Sequence, residues 1–230
     1  MNFQRDIVAA DEFAIQNFPG VIYQVLHHAA TDSANYAIEK MQEAMMFSNR
    51  EHLRKYCCNL IKKKKKSVVV EFGVWSGNSI NYFARELPRA SVFGFDSFLG
   101  LNEDWSGWNL SKGMFNLNGI SPLVEKNVII YNGLYEDTIP EFVKNNNFEN
   151  GIDLIHMDSD TYIPTIYALN TLNNLVRKGS IIIFDEYFGY PNWRNHEYKA
   201  FREFVLQNSI NYRYIAYSEH AVAVEILKAG

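Results

Sequence analysis

Acidic side chains recur where apolar runs end. Glu71 follows Val68-Val69-Val70, and Asp96 closes Ser91-Val92-Phe93-Gly94-Phe95. Asp158 and Asp160 follow the run 152–157, and Asp185 and Glu186 follow the run 180–184. Open α/β sheets bind ligands outside the carboxyl ends of their strands, so these side chains fall where chemistry is done. The runs 152–157 and 180–184 should be neighbouring strands, which brings their acids together. Carboxylates at close range repel, and a bound cation relieves the repulsion. An all-oxygen set suits Mg²⁺, Mn²⁺ or Ca²⁺ rather than zinc. The plainer reading is capping and solvation. Asp158 or Asp160 would then cap a helix starting near Tyr162, and Asp185 would pair with Arg194 or Lys199.

Beside the first acid lies a turn, Glu71-Phe72-Gly73-Val74-Trp75-Ser76-Gly77-Asn78-Ser79. Gly73 and Gly77 let backbone approach a ligand closely, and the N–H groups that follow can face its polar end. A dinucleotide loop wants G-x-G-x-x-G, but here Ser76 and Asn78 stand where glycines would sit. S-adenosylmethionine (SAM) has no pyrophosphate and needs no fully stripped loop. Its amino group suits a carboxylate near the turn, such as Glu71. Asp96, at the second strand end, is placed to hold a ribose. The pattern favours SAM over NAD. The competing reading is an ordinary strand-to-helix turn with no ligand.

Histidine offers a base. His196, in Tyr190-Pro191-Asn192-Trp193-Arg194-Asn195-His196, falls on a substrate-side loop and reads as a base, an acceptor contact or an exposed residue. His156 lies inside a strand and reads as core. His220 sits at a hairpin turn, facing solvent. Tyr187, Tyr190 and Trp193 either line an acceptor pocket or pack.

The elements that must position these groups follow from periodicity. Short apolar, β-branched runs at 68–74, 91–95, 127–131, 152–157 and 180–184 read as parallel strands covered on both faces. Helical patterns lie near 79–87, 136–145, 162–176 and 196–207. Two final runs, 212–217 and 221–227, form an antiparallel hairpin. Such an order predicts a doubly wound, mostly parallel seven-stranded sheet. Residues 1–66 read as an N-terminal helical extension and 67–230 as the main domain. In the extension, Thr31, Asp32 or Ser33 would cap a helix covering 37–46, and Gly20 marks an earlier break. The loop 97–121, with Trp105 and Trp108, either covers a ligand or packs on the domain.

The chain has 230 residues, a net charge of −4 and two adjacent cysteines, Cys57 and Cys58. The charge argues against a nucleic-acid partner. The cysteines form neither a disulfide framework nor a metal motif. With no signal-peptide pattern at Met1–Ile7 and no membrane-length apolar run, a cytoplasmic protein with no membrane partner is expected. Lys62 to Lys66 read as a solvated helix end, or as a patch for an acidic partner. Apolar positions on the N-terminal helices would suit a homodimer.

Four segments resemble the macrocin O-methyltransferase family. They are Glu71–Ser79 and Gly94-Phe95-Asp96-Ser97-Phe98-Leu99-Gly100-Leu101, then Met157-Asp158-Ser159-Asp160-Thr161-Tyr162 and Phe184-Asp185-Glu186-Tyr187. Together they span about 68–187. The resemblance implies a class I, Rossmann-like methyltransferase that methylates a sugar hydroxyl of a small natural product, using SAM and Mg²⁺ or another divalent cation. It implies cofactor contacts at Glu71, Gly73, Ser79, Asp96, Ser97 and Asp158, with the segment 132–138 on the adenine side. It implies metal ligands at Asp158, Asp185 and Glu186, and a base at Asp160. Glu186 and Ser76 depart from the family pattern, which often has a second aspartate at the first position and a basic residue or glycine at the second. Two alternatives stand beside this reading. One is a metal-independent small-molecule methyltransferase with His196 or Asp160 as base, and the other a non-catalytic SAM-binding protein.

Overall fold

The computed structural model describes residues 20–64, 66–146 and 148–229. Helix α1 (Val21–Lys40) leads to a two-residue strand β1 (Met45–Met46) and helix α2 (Arg50–Ile61). The α/β alternation follows: β2 (Val68–Phe72), α3 (Asn78–Glu86), β3 (Ser91–Asp96), β4 (Val128–Asn132), α4 (Tyr135–Asn145), β5 (Leu154–Met157), α5 (Tyr162–Thr171) and β6 (Ile181–Phe184). Helix α6 (Glu197–Gln207) precedes the hairpin β7 (Asn211–Tyr217) and β8 (Val222–Lys228).

The strands form one sheet in the order β1-β7-β8-β6-β5-β2-β3-β4. Pairings from β6 through β4 are parallel, and β8 runs antiparallel to both β6 and β7. Neighbouring β5 and β6 pair as their sequences predict, with Met157 opposite Phe184. The expected sheet had seven strands, and β1 adds an eighth by pairing with β7 at the edge.

Both faces of the sheet centre are covered, which is why β5 and β6 are buried throughout and apolar apart from His156. One side packs Phe72, Phe95, Phe142, Phe184 and Phe201. The other packs Val69, Ile80, Phe83, Leu154 and Ile183. Elements preceding Ser67 contribute to both layers. Tyr36, Ala37 and Met41 join the first, and Leu53, Cys57, Cys58 and Ile61 join the second.

Helix α1 differs from the expected arrangement. It starts after Gly20 and runs unbroken for 20 residues, so Thr31, Asp32 and Ser33 are interior rather than caps. The Ser33 hydroxyl donates to the Ala29 carbonyl (2.7 Å) and accepts from the Gly189 amide (2.9 Å). Asp32 accepts two bonds from Arg194, each 2.8 Å. These tertiary partners replace the local bonds that make such residues favour helix ends. No helix among the described residues is long and apolar enough to cross a membrane.

Candidate active site

A cleft of about 380 Å³ opens at the carboxyl ends of β2, β3, β5 and β6. Its size lies within the range of about 300–1,000 Å³ usual for small-molecule sites. One wall is the glycine turn after β2. Gly73 has φ +86° and donates to the Phe95 carbonyl (3.0 Å). Gly77, at φ +81°, leads into α3. The first α3 residues, Asn78 and Ser79, line the cleft, and their N–H groups belong to the unpaired first turn of a helix.

Asp96 faces this turn and secures it. One carboxylate oxygen accepts from the Val74 and Trp75 amides (2.9 and 2.8 Å), and the other from the Phe98 amide (2.7 Å). A carboxylate has roughly four acceptor positions, so about one stays open toward the cleft. Asp96 is thus first a clamp on the loop. Ser97 lines the cleft beside it, and Gly133, Leu134 and Tyr135 form the far wall. From the long loop, Trp105 and Phe115 reach the cleft while Trp108 stacks on Tyr190. The loop therefore both covers and packs.

The acids gather at the other end. Asp158, Asp160, Asp185 and Glu186 all line the cleft. Asp160 holds φ +67°, a left-handed conformation that aspartate adopts more readily than most non-glycine residues. Asp185, 1 % exposed, accepts from Arg54 (2.7 Å) and from Arg50. Arg50 also donates to Glu186 (3.0 Å). His156 lies between Glu71 (2.9 Å) and Asp185 (3.3 Å), fully buried. Ionised carboxylates only accept, so both ring nitrogens carry hydrogen. Burial and the Arg54 charge oppose that protonation, yet the bonds to Asp185 and Glu71 win and raise His156 to about 9.

Burial also opposes ionisation of Asp185. The His156 bond and the Arg54 and Arg50 charges outweigh it and hold the carboxyl well below the usual range. The remaining acids go the other way. Burial and the Asp185 charge push Asp158 up to about 7 and Glu186 up to about 8. Burial and the Asp158 charge raise Asp160 well above an ordinary carboxylate.

Several expected residues sit elsewhere. Glu71 is fully buried behind the cleft wall, its oxygens taken by His156 and the Ser79 hydroxyl (3.1 Å), so it braces the turn from beneath. His156 is indeed buried, but it is part of the acid network. His196 lies outside the cleft. Its Nε2 contacts the Ser106 carbonyl (2.9 Å) and the Asn192 amide nitrogen (3.2 Å), clipping the long loop to the segment before α6. As a clip rather than a base, His196→Gln is expected to lower turnover less than about 10-fold, against the 10²-fold or more of a general base. Steady-state kinetics would decide it.

Arg50 and Arg54 were missed by sequence reasoning. Their i, i+4 spacing puts both on one face of α2, and with buried Leu53 and Cys57 they complete an i, i+3, i+4, i+7 stripe that faces inward; that was the available signal.

Solved structures share this architecture. The calicheamicin methyltransferase CalS11 is 21 % identical, covering 88 % of this chain and 90 % of its own, with a TM-score of 0.62. The O-methyltransferase NovP is 20 % identical, covering 78 % and 80 %, with a TM-score of 0.58. An apo form of CalS11, described as a TDP-rhamnose 3′-O-methyltransferase, is 21 % identical over 88 % and 92 %, with a TM-score of 0.54. At these identities the likeness is one of fold. No curated protein matches the chain. The family described as "Methyltransferase domain" matches residues 70–187. That segment begins in β2 and ends just past the β6 acids, so it takes in both ends of the cleft, and the chain belongs to that methyltransferase family.

Proposed function

We propose that the protein transfers a methyl group from SAM to a hydroxyl of a sugar or sugar-bearing small molecule. One observation carries this reading. A single cleft runs from the glycine turn and α3 start to the acids after β5 and β6, so donor and acceptor can be held side by side. The fold likeness to CalS11 and NovP supports it, as does the family match. The net charge of −4 favours a small acceptor over a nucleic acid.

When bound, SAM supplies a sulfonium methyl. The acceptor oxygen would receive that methyl as its own proton leaves, with the demethylated cofactor as the other product. The chain's part is to align and desolvate. Asn78, Ser79 and the remaining Asp96 acceptor position would hold the polar parts of the cofactor, and Trp75, Tyr135 and Phe115 offer flat apolar surface. Asp160 takes the acceptor proton. Burial and the Asp158 charge raise this carboxyl and so strengthen it as a base over an ordinary aspartate, and much of the rate comes from alignment. The segment before Ser67 supplies the acceptor side with Arg50 and Arg54.

A divalent cation at Asp158, Asp185 and Glu186 is the finer expectation from sequence, and as arranged these residues do not fit one. Both Asp185 oxygens and one Glu186 oxygen are occupied by guanidinium N–H groups, and the buried, unpartnered Glu186 Oε2 sits on a carboxylate already paired to Arg50. One atom each of His156, Asp158 and Asp185 lies within 4.8 Å of the others, but both nitrogens of that imidazole are already bound.

Calorimetric titration with S-adenosylhomocysteine (SAH), plus methyl transfer to a panel of nucleotide sugars and glycosides, tests the reading. Asp160→Asn should keep SAH affinity within about threefold and lower turnover roughly 10²-fold. Wild-type protein that does not bind SAH would defeat the proposal.

A further inference from the structure

The acceptor end of the cleft carries two positive charges in a fixed arrangement. Helix α2 starts at Arg50, and the Asn49 side chain caps it by accepting from the His52 amide (3.0 Å). Buried Leu53, Cys57 and Ile61 anchor its inner face. Arg50 and Arg54, one turn apart, therefore project from a rigid base. Arg54 is nearly buried, its side chain 12 % exposed, and bonds Asp185. Arg50 is 36 % exposed and spans Asp185 and Glu186.

A divalent ion binds carboxylate oxygens through lone pairs at about 2.0–2.6 Å. Here the lone pairs of Asp185 face N–H donors instead, and an added cation would meet two guanidiniums that cannot lose their protons. We propose that Arg50 and Arg54 take the place of a divalent cation in this methyltransferase, with Arg50 binding the acceptor oxygen and Arg54 positioning Asp185. The proposal rests on the methyl-transfer reading above.

The donor inventory supports the division of roles. A guanidinium has about five N–H donors in a planar fork. Arg50 spends one on Asp185 and one on Glu186, so about three remain on a side chain that lines the cleft. They can hold one or two neighbouring acceptor oxygens and stabilise the negative charge that grows as the hydroxyl proton leaves. Arg54 lies deeper, and its contact is with Asp185. Locking Asp185 fixes the carboxylate on which Arg50 rests.

The test uses Mn²⁺ alone as probe, read by the electron paramagnetic resonance of the free ion, with SAH calorimetry on the same samples. Wild-type protein is expected to bind Mn²⁺ more weakly than about 1 mM while binding SAH. Arg50→Gln frees one oxygen each of Asp185 and Glu186 and should bind Mn²⁺ at least about 10-fold more tightly. Arg50→Lys, which keeps the charge, should stay as weak as wild type. Stoichiometric wild-type binding tighter than about 10 μM, with SAH binding intact, would overturn the arginine proposal alone. So would an Arg50→Gln protein that folds, binds SAH and gains no Mn²⁺ affinity. Absence of SAH binding in wild type would overturn the methyl-transfer reading instead. Should Arg50→Gln not fold, the wild-type titration decides.

Discussion

Asp185→Asn is expected to cost about 3–5 kcal/mol of folding stability, the usual penalty for breaking one side of a buried ion pair. The carboxylate is 1 % exposed and accepts from Arg50, Arg54 and His156. Asparagine keeps the size but loses the charge, and its amide nitrogen would face donors. Two guanidiniums and an imidazolium would then share Glu71 and Glu186 as their remaining bonded anions. For a chain of this length the melting temperature should fall by roughly 6–20 °C. Adding Arg54→Met should return part of the loss, because the deepest unpaired charge goes with it. A double-mutant cycle by urea denaturation should give a coupling of about 0.5–3 kcal/mol. A loss below about 1 kcal/mol for Asp185→Asn would show that the pairing contributes little to the fold. The sign with pH follows from the lowered carboxyl. Its contribution is present above the ordinary aspartate range and is lost only as pH falls through the depressed value of the folded state.

Gly73→Ala should damage both fold and cofactor site. A Cβ at this position would lie 1.8 Å from the Asp158 carbonyl oxygen and 2.8 Å from its carbon. Neither atom can turn away as a side chain would, so the turns after β2 and β5 must part. The φ of +86° adds strain for any residue with a Cβ. Together these effects should cost about 2–5 kcal/mol, and SAH affinity should fall at least about 100-fold as Asp158 and the turn separate. Gly113 is the control. Its φ is similar, +84°, but nothing lies within 4 Å of an added Cβ. Gly113→Ala should therefore lose only about 1 kcal/mol and bind SAH normally. Equal SAH affinity in Gly73→Ala and wild type would mean that this close approach is not part of the cofactor cradle.

Strands β2, β3, β5 and β6 were legible because burial on both faces forces continuous apolar runs with sharp polar ends. The runs at 68–74 and 180–184 became β2 and β6 with only their ends trimmed. Gathering the acids after β5 and β6 follows from that topology alone. Pair chemistry was not legible. The arginines of α2 share a stripe with buried Leu53 and Cys57, and only the return of α2 to the β6 end of the sheet supplies their carboxylate partners. Strand β1 has two methionines that read as the end of a helix, and its assignment depends on partner β7. Glu71 and His196 have the right residue types in the right segments. One strand position, or a few loop residues, decides whether such a side chain enters the cleft or braces it.

One fastening has a practical consequence. At Gly107 an added Cβ would meet the Pro191 carbonyl oxygen at 1.9 Å, and Trp108 stacks on Tyr190. The roof over the cleft is thus joined to the chain that continues from the Asp185–Glu186 floor. Grafting that roof from a relative to change acceptor choice would not succeed as a single exchange. Residues 97–121 and 187–196 form one transplantable unit, and chimeras that split them should misassemble.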